Sequence, residues 1–139
     1  MNKNIRVLNH ILEYCNDIQQ DIDRIGNSYE TFKSDKLYQK AITMSMLQIG
    51  ELTTHLSEDF KSSTNDEMDW RNIKGLRNIL AHNYGSIDFD IIWEIKDTDI
   101  PRIKEFCEQA ICYLEKCDAD RDADNICYDD YEDEQTRGR

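Results

Sequence analysis

The chain has 139 residues, 17 Lys and Arg against 29 Asp and Glu, a formal net charge of −12, one Pro and five Gly. That length makes one domain with one core, and so few turn residues argue against an all-β fold. A net charge this negative excludes a protein that holds nucleic acid with its whole surface, so any RNA contact has to be local.

Ile5, Leu8, Leu12, Cys15, Ile18, Ile22 and Ile25 recur in steps of three and four. This is the stripe of an amphipathic first helix, and Gly26-Asn27 stops it. Ser34 or Asp35 can cap a second helix. Leu37, Ala41, Met44, Leu47, Leu52, Leu56 and Phe60 carry it, and Tyr38, Ile42 and Ile49 widen the buried face. Gly50 lies inside this helix, where glycine costs about 1 kcal/mol against alanine, so another backbone is expected to approach closely there. Residues 61–69 read as a polar connector.

The third segment starts near Asp69, carries Trp70, Ile73, Leu76, Ile79 and Leu80, and ends at Asn83-Tyr84-Gly85. Residues 89–96 suit a short helix or a strand; helix is preferred, because no partner strand exists. Asp99-Ile100-Pro101 reads as the cap and first turn of a last helix, with Ile103, Cys107, Ala110, Ile111 and Leu114 along it. Residues 118–139 hold nine acids and three bases. They read as an acidic, disordered tail after a helical domain at 1–117. The tail lacks the glycine and closing glutamate of a calcium loop. The expected fold is all-α, an up-and-down four-helix bundle with 89–96 as a short additional helix.

The five cysteines include no Cys-x-x-Cys. Cys107, Cys112 and Cys117 are five apart, which spreads them around a helix. Reduced thiols and a cytoplasmic location are the expectation. No apolar run suits a membrane span or a signal peptide, and no cofactor or metal is called for.

Chemistry concentrates in one stretch. From Trp70 to Ile87 there is no Asp or Glu, while Arg71, Lys74, Arg77 and His82 all occur. Arg71, Lys74 and Arg77 are three apart, so they neighbour one another on a helix surface. They form either a solvated basic face or a phosphate site, with arginine as a bidentate fork and lysine as a point charge. Asn78 lies four residues before His82 on the same face and can orient its imidazole. Arg77 and His82 are five apart, roughly 140° around an ideal helix. They converge on one phosphate if the helix distorts, or if a second copy supplies its pair across a two-fold axis. The symmetric dimer is the favoured solution. A His and an Arg at a phosphodiester suit RNA cleavage: the 2′-hydroxyl attacks phosphorus, His82 moves a proton and Arg77 stabilises the phosphoryl oxygens.

Arg77-Asn78-Ile79-Leu80-Ala81-His82-Asn83-Tyr84 resembles the motif of the HepT branch of the HEPN superfamily. Gln48-Ile49-Gly50-Glu51, residues 70–76 and residues 87–93 resemble its flanks, and the likeness spans about residues 4–117. The resemblance implies a dimeric helical bundle with two motifs meeting in a cleft. It implies a metal-independent ribonuclease toxin of a type VII toxin–antitoxin pair, with Arg77 and His82 catalytic and Asn78 supporting. It further implies an MntA-like nucleotidyltransferase antitoxin that transfers AMP to Tyr84. The alternative is an inactive HEPN protein that binds nucleotide or RNA beside such a partner.

Overall fold

The computed structural model describes residues 2–82 and 87–125. Among them are the helices α1 (Lys3–Ile25), α2 (Tyr29–Ser34), α3 (Lys36–Thr53), α4 (Glu58–Ser63), α5 (Trp70–His82) and α6 (Phe89–Asn125), and no strand. The four long helices form the bundle. Helix α1 packs between α3 and α6, and α3 packs between α1 and α5.

Of the predicted α1 stripe, Ile5, Leu8, Cys15 and Ile18 are buried, Ile11 is buried in place of Leu12, and Leu12, Ile22 and Ile25 pack at its edge partly buried. Asn2 caps it by accepting from the Asn4 N–H at 2.7 Å. Gly26 ends it at φ 123°, a conformation open to glycine. The Tyr38 hydroxyl then donates to the Gly26 carbonyl at 2.9 Å, fixing the turn to α3.

Helix α2 had no counterpart in the sequence pattern, since six residues are too few to show a period. Ser28 caps it. It is held by Phe32, which is fully buried and meets the rings of Tyr38, Phe89 and Trp93. Asp35 caps α3 as expected, accepting from the N–H groups of Leu37 at 2.9 Å and Tyr38 at 3.1 Å.

The second predicted helix does not run through to Phe60. It ends at Thr53, and a separate α4 begins at Glu58. The Thr53 and Thr54 hydroxyls donate to the carbonyls of Gly50 and Glu51, both at 2.7 Å, and local bonds of this kind compete with helix continuation. Ser57 then caps α4 and is clamped to α1, because its N–H donates to Asn4 Oδ1 at 3.0 Å. Leu56 and Phe60 remain in the core on the far side of the turn, which is why the apolar spacing looked unbroken.

Pro101 likewise does not start a new helix. It lies inside α6, a single helix of 37 residues. An interior proline costs about 3 kcal/mol. Here Ile92, Lys96, Ile100, Ile103 and Cys107 form one buried stripe across it, and that burial offsets the lost hydrogen bond. The stripe includes a lysine. Lys96 Nζ donates to Asn27 Oδ1 at 2.8 Å and Asp97 Oδ1 at 2.7 Å and lies 3.8 Å from the centre of the Trp93 ring. It pins the α1–α2 turn to α6. Helix α6 runs to Asn125, past the boundary at 117 read from composition; residues 126–139 lie outside the described ones.

Candidate active site on helix five

Asp69 starts α5, accepting from the Asn72 N–H at 3.1 Å. The helix buries Trp70, Ile73 and Leu80 and continues unbroken to His82. Its tightest contact is with α3. A Cβ built on Gly50 would stand 2.8 Å from Arg77 Cβ and 3.2 Å from both Arg77 Cα and N. The glycine inside α3 therefore exists for a close approach, and the residue it admits is the motif arginine.

The residue after Gly50 completes the arrangement. Arg77 Nε donates to Glu51 Oε2 in an ion pair between α5 and α3. Both side chains are partly open to solvent, 36% for Arg77 and 44% for Glu51. The guanidinium is thus aimed by a carboxylate and still reachable from outside. Sequence reasoning noted Glu51 only within a flanking signature. Its role as the partner of Arg77 spans 26 positions and has no periodic signal.

The basic stretch divides in two. Arg71 and Lys74 are exposed and line an open cavity of about 430 Å³ with Glu58, Lys61, Ser62, Asn65 and Trp70. Arg77 is not among its walls; it faces α3. Asn78 and His82 lie on the α5 backbone four residues apart, and only their backbone is described. Tyr84 lies outside the described residues.

The helix has no interruption between Arg77 and His82, so these positions keep the wide angular separation of a regular helix. One face of α3 bears on this. Leu37 and Met44, read from the sequence as part of the packed stripe, are instead 74% and 54% exposed, because α3 turns Tyr38, Ile42, Met46 and Ile49 to the core; they are large apolar groups one heptad apart. Residues seven apart drift only about 20° around a helix, so Leu37, Met44 and Glu51 share a stripe that leads to the ion pair. Among the described residues, no helix is long and apolar enough to cross a membrane.

An all-α bundle with an arginine–histidine motif on α5, the arginine packed against Gly50 and paired with Glu51 on α3, agrees with the HEPN-type pattern that the sequence resembles. The model of the family described as "Ribonuclease HepT-like" matches residues 11–110. The chain belongs to that family. A protein of Methanocaldococcus jannaschii named as a candidate RNase is 35% identical over 101 residues, covering 70% of this chain and 87% of that protein. A candidate RNase of Caldanaerobacter subterraneus subsp. tengcongensis is 32% identical over 99 residues, covering 70% and 85%. A candidate ribonuclease HepT of Thermococcus cleftensis is 31% identical over 97 residues, covering 66% and 87%. No solved structure gives a significant match. Membership in this family supports a ribonuclease function and an RNA substrate.

Proposed function

We propose that the protein is a metal-independent endoribonuclease toxin that works as a homodimer, with Arg77 and His82 catalytic and Asn78 orienting the imidazole. The observation that carries the reading is the placement of Arg77. It is packed against Gly50, aimed by Glu51 and partly open, on a helix that runs on to His82. In the reaction the 2′-oxygen bonds to phosphorus and the bond from phosphorus to the 5′-oxygen breaks. The products are a 2′,3′-cyclic phosphate and a 5′-hydroxyl. His82 takes the proton from the 2′-hydroxyl or supplies one to the departing 5′-oxygen. Arg77 answers the charge on the non-bridging oxygens.

The dimer is proposed because an unbroken α5 separates Arg77 and His82 within one copy, and the exposed Leu37 and Met44 on α3 are apolar groups that a second copy could cover. Control is proposed at Tyr84. An MntA-like nucleotidyltransferase antitoxin would transfer AMP from ATP to the tyrosine oxygen with release of pyrophosphate. The added bulk and negative charge beside Arg77 and His82 would exclude RNA. This reading predicts a type VII toxin–antitoxin pair.

The test is cleavage of total cellular RNA in EDTA by purified protein with Tyr84 confirmed bare by mass. Parent, His82→Ala and Arg77→Ala are compared. The parent is expected to cut, and both variants are expected to lose activity by at least a hundredfold. A parent no more active than the variants overturns the enzyme reading.

A further inference from the structure

The cavity between α4 and the start of α5 is separate from the Arg77 site. Its walls bring together Lys61 from α4 and Arg71 and Lys74 from α5. These three cations meet in a chain whose net charge is −12. Lys61 was not singled out in the sequence, because it lies in what read as a polar connector. The fold turns α4 so that this lysine faces α5. Its side chain is only 20% exposed, while its partner Glu58, 3.3 Å away, is 89% exposed. The carboxylate is therefore well hydrated and holds the ammonium only weakly. Ser62 and Asn65 add neutral hydrogen-bonding groups. Trp70 forms an apolar wall, since its indole N–H is committed to Thr64 Oγ1 at 2.9 Å.

A fork, two point charges and two neutral polar groups around one opening suit phosphate oxygens. At about 430 Å³ the space takes more than a bare anion. Its place in the fold says which anion. Arg71, Lys74 and Arg77 follow one another along α5 in steps of three, and the six residues rise about 9 Å while turning about 120° around the helix, a path that a strand can follow. A phosphate in this cavity and one at Arg77 can belong to a single strand. No acidic residue lies on α5 between them.

We propose that Lys61, Arg71 and Lys74 form a phosphate-binding subsite for the RNA backbone flanking the scissile bond, so that the substrate is an extended strand and not a dinucleotide. The inference rests on the ribonuclease reading for its substrate, and binding tests it apart from cleavage.

The probe is a fluorescently labelled 12-nucleotide RNA with every 2′-hydroxyl methylated, which cannot be cut by its own 2′-oxygen. Anisotropy titrations use the full chain, the triple variant Lys61→Gln/Arg71→Gln/Lys74→Gln, and a control of equal charge change elsewhere, Arg24→Gln/Lys33→Gln/Lys116→Gln, all exposed. Circular dichroism confirms the fold of each. The cavity variant is expected to bind at least tenfold more weakly at low salt. Its slope of log Kd on log salt should fall by about 0.7, the amount for one phosphate that is no longer neutralised. The control should change less than threefold. Equal binding by the cavity variant and the control, or no binding by the parent, overturns the subsite. Unmodified RNA of the same sequence, with the matching dinucleotide, is assayed in parallel. If the parent fails to cut it while the binding difference persists, the ribonuclease reading falls and the subsite stands. If the parent cuts it and the cavity variant binds like the control, the subsite alone falls.

Discussion

Replacing Gly50 with alanine separates two effects that normally travel together. Alanine is the better helix former by about 1 kcal/mol, so propensity alone predicts a more stable protein. The new Cβ, however, would stand 2.8 Å from Arg77 Cβ. Carbon atoms rest at about 3.5 Å or beyond, so α3 and α5 must part by roughly half an ångström or more. The obstacle is the root of a side chain and its backbone, which cannot swing aside. Overpacking of this kind costs about 1–3 kcal/mol. Gly75 supplies the reference. It lies on α5, and a Cβ there meets nothing within 4 Å, so Gly75→Ala should gain the propensity term nearly whole. The difference in unfolding free energy between Gly75→Ala and Gly50→Ala then isolates the steric term, about 1–3 kcal/mol. For a chain of this size that is roughly 3–15 °C in Tm. Urea unfolding followed by circular dichroism gives both values, and RNA cleavage gives the functional consequence. Cleavage should fall in Gly50→Ala, because the displaced segment carries Arg77, and should hold in Gly75→Ala. Equal stabilisation by the two substitutions would refute the close approach.

Glu51→Gln should lower stability by less than about 1 kcal/mol, since the Arg77–Glu51 pair is partly solvated. Steady-state cleavage should show a lower KM, because a negative charge leaves the phosphate site, and a lower kcat, because the guanidinium loses its guide; an unchanged kcat would remove Glu51 as a positioning residue. The buried thiols predict an alkaline weakness. Burial pushes the Cys15 thiol up to about 12 from an ordinary 9.0 and raises Cys107 as well. Both are held neutral in the fold, so their contribution is complete below pH 9.0. It is lost as the pH rises from there toward the folded values, because only the unfolded chain then ionises easily. The slope is up to about 1.4 kcal/mol per pH unit per thiol. Urea unfolding at about pH 8 and about pH 10 should show this fall, and Cys15→Ala should reduce its size; an unchanged pH dependence would contradict the burial argument.

Long amphipathic elements were legible because one stripe of apolar residues faces one core. That holds for α1 and α5, and for the Asp35 start of α3, where a side-chain cap is a local event. The elements that were misread turn on interactions between distant residues. Phe32 makes α2 by entering a ring cluster with Trp93. Ser57 turns the chain by binding Asn4. The burial of Ile92 and Ile100 on one side of Pro101, and of Ile103 and Cys107 on the other, carries α6 through a residue that reads locally as a start. The candidate site divides in the same way. Gly50 announced a close approach, because an interior glycine costs stability unless something needs the space. That its neighbour is Arg77, that Glu51 then reaches the guanidinium, and that Lys61 joins Arg71 and Lys74, all depend on how helices pack.

The pairing of Arg77 with Glu51 has a functional logic in the proposed reaction. A phosphate-binding arginine without a partner would be mobile, and fixing a long side chain on binding costs conformational entropy. A fully buried partner would hold it too strongly, because removing one member of a buried pair costs about 3–5 kcal/mol. Glu51 sits between these limits. At 44% exposure it remains hydrated, so its hold on the guanidinium is weak while its direction is set. An incoming phosphodiester presents two non-bridging oxygens to the same fork, with one negative charge that matches the carboxylate's and grows in the transition state. The arginine is therefore oriented before RNA arrives and can be transferred to it at small cost. This arrangement depends on α3 and α5 lying close enough for Glu51 to reach, and so on the missing side chain at position 50.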